Sequence, residues 1–185
     1  MLIALSQSPI TAQQFFEWDE KLQKNEKGTP IQSMKLQAIP ISLREANEFV
    51  INFHRHSKKT RGHKYSIGAS DGENLVGVAI VGRPIARKLD DGFTAEVLRV
   101  CVKDDSPKNT CSFLYGRSWR IWQQMGGKRM ITYTLQKESG SSLRAVDWKI
   151  VGETKVWKTG TGWATRPGRE WQPIYGQAKF RWEAQ

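Results

Sequence analysis

Cysteine, histidine and long apolar runs are all scarce in this chain. Two cysteines, Cys101 and Cys111, in 185 residues exclude a disulfide framework and fit a reducing compartment, so a cytoplasmic location is expected. No apolar stretch approaches the roughly 20 residues that cross a bilayer. The opening MLIALSQSPITA is also too short in apolar length for a signal peptide, so no membrane partner is expected. Internal repeats and low-complexity tracts are missing, which excludes a repeat array. Acidic residues are short as well: 18 Asp and Glu stand against 29 Lys and Arg, a formal charge of +11. That excess favours an anionic partner, whether nucleic acid, a nucleotide cofactor or an acidic protein face, and does not choose among them.

The chain is long enough for one domain with an appendage. Residues 1–33 read as the appendage: an amphipathic segment with Phe15, Phe16, Trp18 and Leu22, then a linker punctuated by Gly28 and Pro30. Residues 34–185 read as the domain. A strand is expected over Lys35–Pro40, and a helix over Leu43–His56 opened by the capping box Ser42/Glu45. Next come a hairpin of Tyr65–Ala69 and Asn74–Gly82 turned at Asp71-Gly72, and the strand Thr94–Val102. The helix Cys111–Met125, the strand Arg129–Thr134, a short helix over Ser141–Trp148 and the strands Lys149–Val156 and Ala178–Glu183 follow. Trp157–Gln177 is basic and Gly-rich and reads as a loop or ragged hairpin, with tryptophans that suit base stacking or covering of the sheet. The fold class is α/β: a mixed, mostly antiparallel twisted sheet with helices on both faces.

Thr94 to Gly127 is the most informative stretch. A β-branched strand (TAEVLRVCV) runs through a short polar turn (KDDSPKNT) into an amphipathic helix that stops at Gly-Gly. A helix start just after a strand offers free N–H groups and the positive end of a dipole, a natural anion site. Lys108, Asn109, Thr110 and Ser112 supply a cation and small polar groups there, suited to capping the helix, to touching phosphate, or to both. An ordinary capped strand–helix unit is the alternative.

This element order, with the strand–turn–helix at its centre, resembles the GNAT superfamily of N-acetyltransferases. Closer likeness is to phage- and prophage-type GNAT-like proteins, through PISLREANEFV, HRH, GHKYSIG, LRVCV and NTCSFLYGRSWR. The last string, with TYTLQKESGSSLRAVDWKIVG, is distantly similar to the Mom-like enzymes that modify DNA. The resemblance implies acetyl-CoA as cofactor. Its pantetheine arm would run along Leu98, Val100 and Val102, its pyrophosphate would sit at Lys108, Asn109, Thr110, Cys111 and Ser112, and Ser142 and Arg144 would face its far end. KDDSPKNTCS lacks the glycines usual in that loop, Trp148 stands where the family often has a tyrosine, and Leu135-Gln136-Lys137 lacks the Asp of Mom-type sequences.

Candidate catalytic groups can be named on their chemistry. Glu96, counted by alternation onto the face of Leu98, Val100 and Val102, is a carboxylate in an apolar strand, either a general base or a partner of Arg87 or Lys88. His54, His56 and His63 fall within ten residues amid five cations; base, metal ligand and basic loop are all open readings, with metal least favoured by the crowding of charge. Tyr115 and Tyr133 are phenols that could protonate a leaving thiolate or simply fill the core. Two functions remain in view: an acyl-CoA-dependent N-acyltransferase acting on an amine of an anionic acceptor, such as a nucleobase, or a non-catalytic GNAT-like fold that binds nucleic acid or a host protein.

A chain beginning at Met34 should retain a cooperative thermal melt, because the preceding residues end in a breaker-rich linker. A large fall in melting temperature would show instead that Phe15, Phe16 and Trp18 dock on the core.

Overall fold

The structure, a computed structural model, describes residues 36–54, 59–154, 156 and 176–185. The appendage helix, His56 and most of the tryptophan-rich segment lie outside the described residues. Seven strands form one sheet: β1 (Gln37–Pro40), β2 (Tyr65–Ser70), β3 (Leu75–Gly82), β4 (Thr94–Val102), β5 (Arg129–Leu135), β6 (Lys149–Glu153) and β7 (Lys179–Ala184), in the order β1-β2-β3-β4-β5-β7-β6. Every pairing is antiparallel except β4 with β5. The mixed, mostly antiparallel sheet read from the sequence is the one found.

Helix α1 (Leu43–Phe53) starts at Ser42, whose hydroxyl accepts from the Glu45 N–H while the Glu45 carboxylate accepts from the Ser42 N–H. Its apolar face, Ala46, Phe49 and Val50, packs on Val78, Ile80 and Cys101. Helix α2 (Thr110–Gln124) covers the opposite face, where Leu114 and Ile121 meet Val76, Ala79, Val100 and Val102. A third, single-turn helix α3 (Ser141–Arg144) adds Leu143 to a cluster with Trp122, Trp148 and Trp182. β3 is buried along nearly its whole length, which is why its sequence LVGVAIVG is apolar on both faces.

Several elements are shorter than the sequence suggests, β1 among them, which begins at Gln37. α1 ends at Phe53 because His54 is extended, with φ −89° and ψ 127°. The helix expected to reach Trp148 stops after one turn, and Asp147 turns the chain at φ 61°. β6 stops at Glu153.

The strand β4 carries the most consequential irregularity. Ile80 of β3 faces Arg99, yet its neighbour Val81 faces Val97, so Leu98 is an extra residue, a β-bulge. Side chains of β4 therefore change phase at Leu98. Val97, Val100 and Val102 face α2, whereas Cys101 packs under α1. Leu98 fills the space above Gly82, the partner of Glu96. Glu96, Leu98, Arg99 and Cys101 thus share the α1 face.

β4 and β5 pair only through Thr94–Glu96 and Arg129–Ile131. Beyond Glu96 no β4–β5 pairing continues, and the two strands form a fork. Its apex is held by Thr132, whose hydroxyl donates to the Val97 carbonyl at 2.9 Å.

At the start of α3, Gly140 has φ +63°, and a Cβ there would lie 2.3 Å from the Trp182 ring. That ring is buried, with its indole N–H donated to the Thr134 hydroxyl at 2.9 Å, so it cannot move aside cheaply. Gly140→Ala should cost about 2 to 4 kcal/mol in urea denaturation, from left-handed strain plus overpacking. Wild-type stability in that variant would show that this corner repacks freely.

Candidate active site

Glu96 sits at the apex of the fork on the α1 face and is 4% exposed. Its Oε2 accepts the Ile85 N–H at 2.8 Å. Burial pushes its carboxyl up to about 7, against the Ile85 hydrogen bond and the nearby positive charges of Arg99 and Lys179, which pull the other way. Arg87 and Lys88, the partners suggested by the sequence, are exposed in a short turn over Arg87–Leu89, so the cations that reach Glu96 come from β4 and β7 instead. The bulge also corrects the expected alternation: Glu96 shares a face with Leu98 but not with Val100 and Val102.

Tyr133 projects on the same face from β5. Its phenol is pushed up by burial first and then by the charge of Glu96, while a hydrogen bond with Arg181 opposes the shift. Arg181 is its direct cross-strand partner on β7. Lys179, two residues before, is lowered by burial and by Arg99. The sequence reading placed β7 yet assigned nothing to Lys179, Arg181 or Arg99. The alternation KFRWEA was the available signal, since Phe180, Trp182 and Ala184 belong to the core under α2 and α3 and leave Lys179, Arg181 and Glu183 on the other face.

On the α2 face the fork is lined by Val100 and Val102. Lys103 donates its N–H to the Val76 carbonyl of β3, so alternation turns the N–H and C=O groups of Val102 and Val100 toward β5. There β5 has already diverged, so among the described residues no β5 partner meets them. Above the edge, the Tyr115 hydroxyl is hydrogen-bonded with Thr132 and burial holds it well above the ordinary phenol range.

The turn to α2 differs from expectation in one respect. Asn109 occupies the N-cap position in a left-handed conformation, φ 69°, and no side chain caps the helix. Thr110, buried, donates its hydroxyl to the Pro107 carbonyl rather than to a phosphate-facing position. The capping expected of Asn109, Thr110 and Ser112 is therefore absent. The first N–H groups of α2, at Cys111 and Ser112, are at the helix start, where the Asn109 side chain caps neither. Lys108 and Asn109 are exposed beside them. The Cys111 thiol, raised by burial, is hydrogen-bonded with Ser142, so the starts of α2 and α3 come together. Arg144 is turned away to lie over the Trp182 ring at 5.1 Å and to donate to the Ser139 carbonyl.

Of the histidines, His54 closes α1 through its N–H to the Val50 carbonyl, and His63 pairs its Nδ1 with the Ser66 hydroxyl at 2.7 Å. Gly62, just before His63, approaches the site: its carbonyl lies 3.8 Å from where a Cβ of Gly82 would sit, beside Leu98. Trp148 is buried against Tyr115, ring centres 5.6 Å apart, and offers no hydroxyl.

No family model and no curated protein matches the sequence. Solved structures do. A Bacillus subtilis acetyltransferase in complex with CoA aligns with TM-score 0.56 and 13% identity over 80% of this chain and 97% of its own. An acetyltransferase of the GNAT family from Streptococcus pneumoniae gives 0.55 and 8% over 81% and 98%. The Salmonella typhimurium protein yncA, solved with its cofactor acetyl-CoA, gives 0.56 and 12% over 82% and 94%. The chain has the fold of the GNAT acetyltransferases. No helix among the described residues is long and apolar enough to cross a membrane.

The raised Glu96 carboxyl has a consequence for stability. An unfolded glutamate titrates near 4.5, so between that pH and about 7 the folded chain holds a proton the unfolded chain has lost. Stability should accordingly fall as pH rises through that window, by on the order of 3 kcal/mol from this group. Glu96→Gln should remove that slope. An unchanged slope in denaturant melts across the window would mean Glu96 is ionised in the fold.

Proposed function

We propose that this chain is an acyl-CoA-dependent N-acyltransferase, with acetyl-CoA as donor and an amine of an anionic acceptor as its target. One observation carries the reading: a buried carboxylate, Glu96, stands at the apex of a fork where β4 leaves β5 and Val100 and Val102 are unpaired with it. The amides of a pantetheine arm match that edge, because a strand edge wants alternating donors and acceptors. The N–H of Val100 would polarise the thioester carbonyl. The uncapped start of α2 at Cys111 and Ser112, with Lys108 beside it and Ser142 behind, would take the pyrophosphate.

On the α1 face the acceptor amine gives a proton to Glu96 as its nitrogen attacks the acyl carbon. A carboxylate near 7 suits that work, because a base is most effective when its pKa lies near the working pH. The new N–C bond forms, the C–S bond breaks, and the thiolate leaves on CoA. Tyr133, kept protonated by burial and by Glu96, returns a proton to that thiolate. His54, at the end of α1, is a second candidate for the base, and so is His56, which lies outside the described residues. The finer likeness to phage-type and Mom-like proteins, and with it a nucleobase as the amine, rests on the sequence strings and on the +11 charge alone.

Ser112→Asp tests the cofactor site. A carboxylate at the first turn suits the helix dipole, so the fold should persist. Placed against the pyrophosphate it should weaken acetyl-CoA binding about tenfold or more by calorimetry, equivalent to about 1.4 kcal/mol. Wild-type affinity in the folded variant would remove this site. If the wild-type chain binds no acetyl-CoA even at millimolar ligand, the non-catalytic binder is the better description.

A further inference from the structure

An aliphatic amine arrives at neutral pH as an ammonium, with no lone pair to attack a carbonyl. Two protons must leave its nitrogen before the amide is complete. One has a route already: it passes to Glu96, which can restore it to Tyr133, a phenol that feels the Glu96 charge. The other needs a second acceptor in contact with solvent, so that each turnover can release it. Glu96 does not meet that need, because it is buried with its Oε2 on the Ile85 N–H.

His63 is placed for the task by a segment tied down at both ends between α1 and β2. At one end Asn47 of α1 accepts the Thr60 N–H on its Oδ1 at 2.7 Å and donates its Nδ2–H to the Thr60 carbonyl at 3.0 Å. At the other the Lys64 N–H donates to the Val81 carbonyl of β3 at 2.7 Å. Between these ties the Gly62 carbonyl approaches Gly82, the cross-strand partner of Glu96. His63 comes next. Its backbone is thus about two strand spacings, roughly 10 Å, from that of Glu96. That gap, less two side chains, suits an amine or an amine with one water.

The ring itself is oriented. Nδ1 of His63 lies 2.7 Å from the Ser66 hydroxyl. Ser66 pairs across the sheet with Ile80, which packs under α1, so this bond lies on the face of Glu96. Ser66 is buried and His63 is exposed, which fixes one side of the ring and leaves the other to solvent. A serine oxygen can accept from Nδ1–H in the imidazole and in the imidazolium alike. The bond therefore survives protonation at Nε2, and the ring keeps its place through a cycle. Imidazole is the side chain best suited to such exchange.

We propose that His63, oriented by Ser66, is the base that turns the arriving ammonium into an amine. This rests on the acyltransferase reading above and divides its proton work in two. An N–H bond of the ammonium breaks, its electron pair stays on nitrogen, and the proton goes to Nε2 of His63 and then to water. The amine attacks the acyl carbon, its second proton goes to Glu96, the C–S bond breaks, and Tyr133 protonates the thiolate. Glu96 returns its proton to Tyr133. One ammonium and one thioester give one amide, one thiol and one proton.

The test uses the full chain, first titrated with acetyl-CoA by calorimetry and then assayed for CoA release with ethylamine and methoxyamine. The two are alike in shape, but ethylamine is an ammonium at neutral pH and methoxyamine a free amine. His63→Gln should lower the ratio of kcat/KM for ethylamine to that for methoxyamine about a hundredfold, the usual worth of a general base. His63→Ala should lower it as far, and added imidazole should raise it again. Ser66→Ala, which frees the ring without removing it, should lower the ratio part of the way, and it reads the same base if the His63 variants melt early. An unchanged ratio in folded variants overturns the proposal, as does equal loss with both amines, which a merely structural role would give. Acetyl-CoA binding with neither amine acylated also overturns it. Failure of the wild-type chain to bind acetyl-CoA overturns the acyltransferase reading instead.

Discussion

One inserted residue in β4 decides what each face of the sheet can do. Without the bulge at Leu98, strict alternation would put Val100 and Val102 on the face of Glu96 and would drive Arg99 into the apolar layer under α2. With it, the strand delivers a carboxylate and a guanidinium to one face, and to the other an unbroken row of Ala95, Val97, Val100 and Val102. The phase change falls just where β5 leaves β4, so chemistry and strand separation coincide. Thr132 fixes that coincidence by giving its hydroxyl to the Val97 carbonyl, the first β4 acceptor that β5 no longer pairs with. Bulges re-aim side chains at the cost of a ladder bond, and here the lost bonding is what exposes the edge.

Much of this fold is written in apolar periodicity, and the parts that are not share a cause. The capping box at Ser42, the hairpin at Asp71-Gly72 and the doubly apolar β3 are local patterns, each readable from a few neighbouring residues. The bulge is not, because LRVCV alternates as cleanly with an extra residue as without one; only the register against β3 reveals it. The partners of Glu96 are hidden for the same reason. Lys179 lies 83 positions away in sequence (179 less 96) and meets Glu96 because β7 inserts between β5 and β6. Sequence proximity pointed to Arg87 and Lys88, which solvate themselves on the surface. The uncapped start of α2 was equally illegible: Asn109 is a favoured cap residue, but its left-handed backbone removes its side chain from the helix end. Residue type signalled a cap, and backbone conformation cancelled it.

Glu96 shows how opposing electrostatic effects are weighed in such a site. Two cations and a backbone N–H all favour the carboxylate form, yet burial outweighs them and the group titrates near 7. Positive charge alone would hold a carboxyl well below its ordinary range and make it a poor base. The surface excess of positive charge is a separate matter. Among the described residues most of the basic side chains are exposed, where salt screens them beyond about 8 to 10 Å, so they attract anions broadly and discriminate little. Arg99, Lys179 and Arg181 are half-buried, less screened and fixed on a rigid sheet. The overall charge therefore bears on encounter with anions more than on discrimination among them.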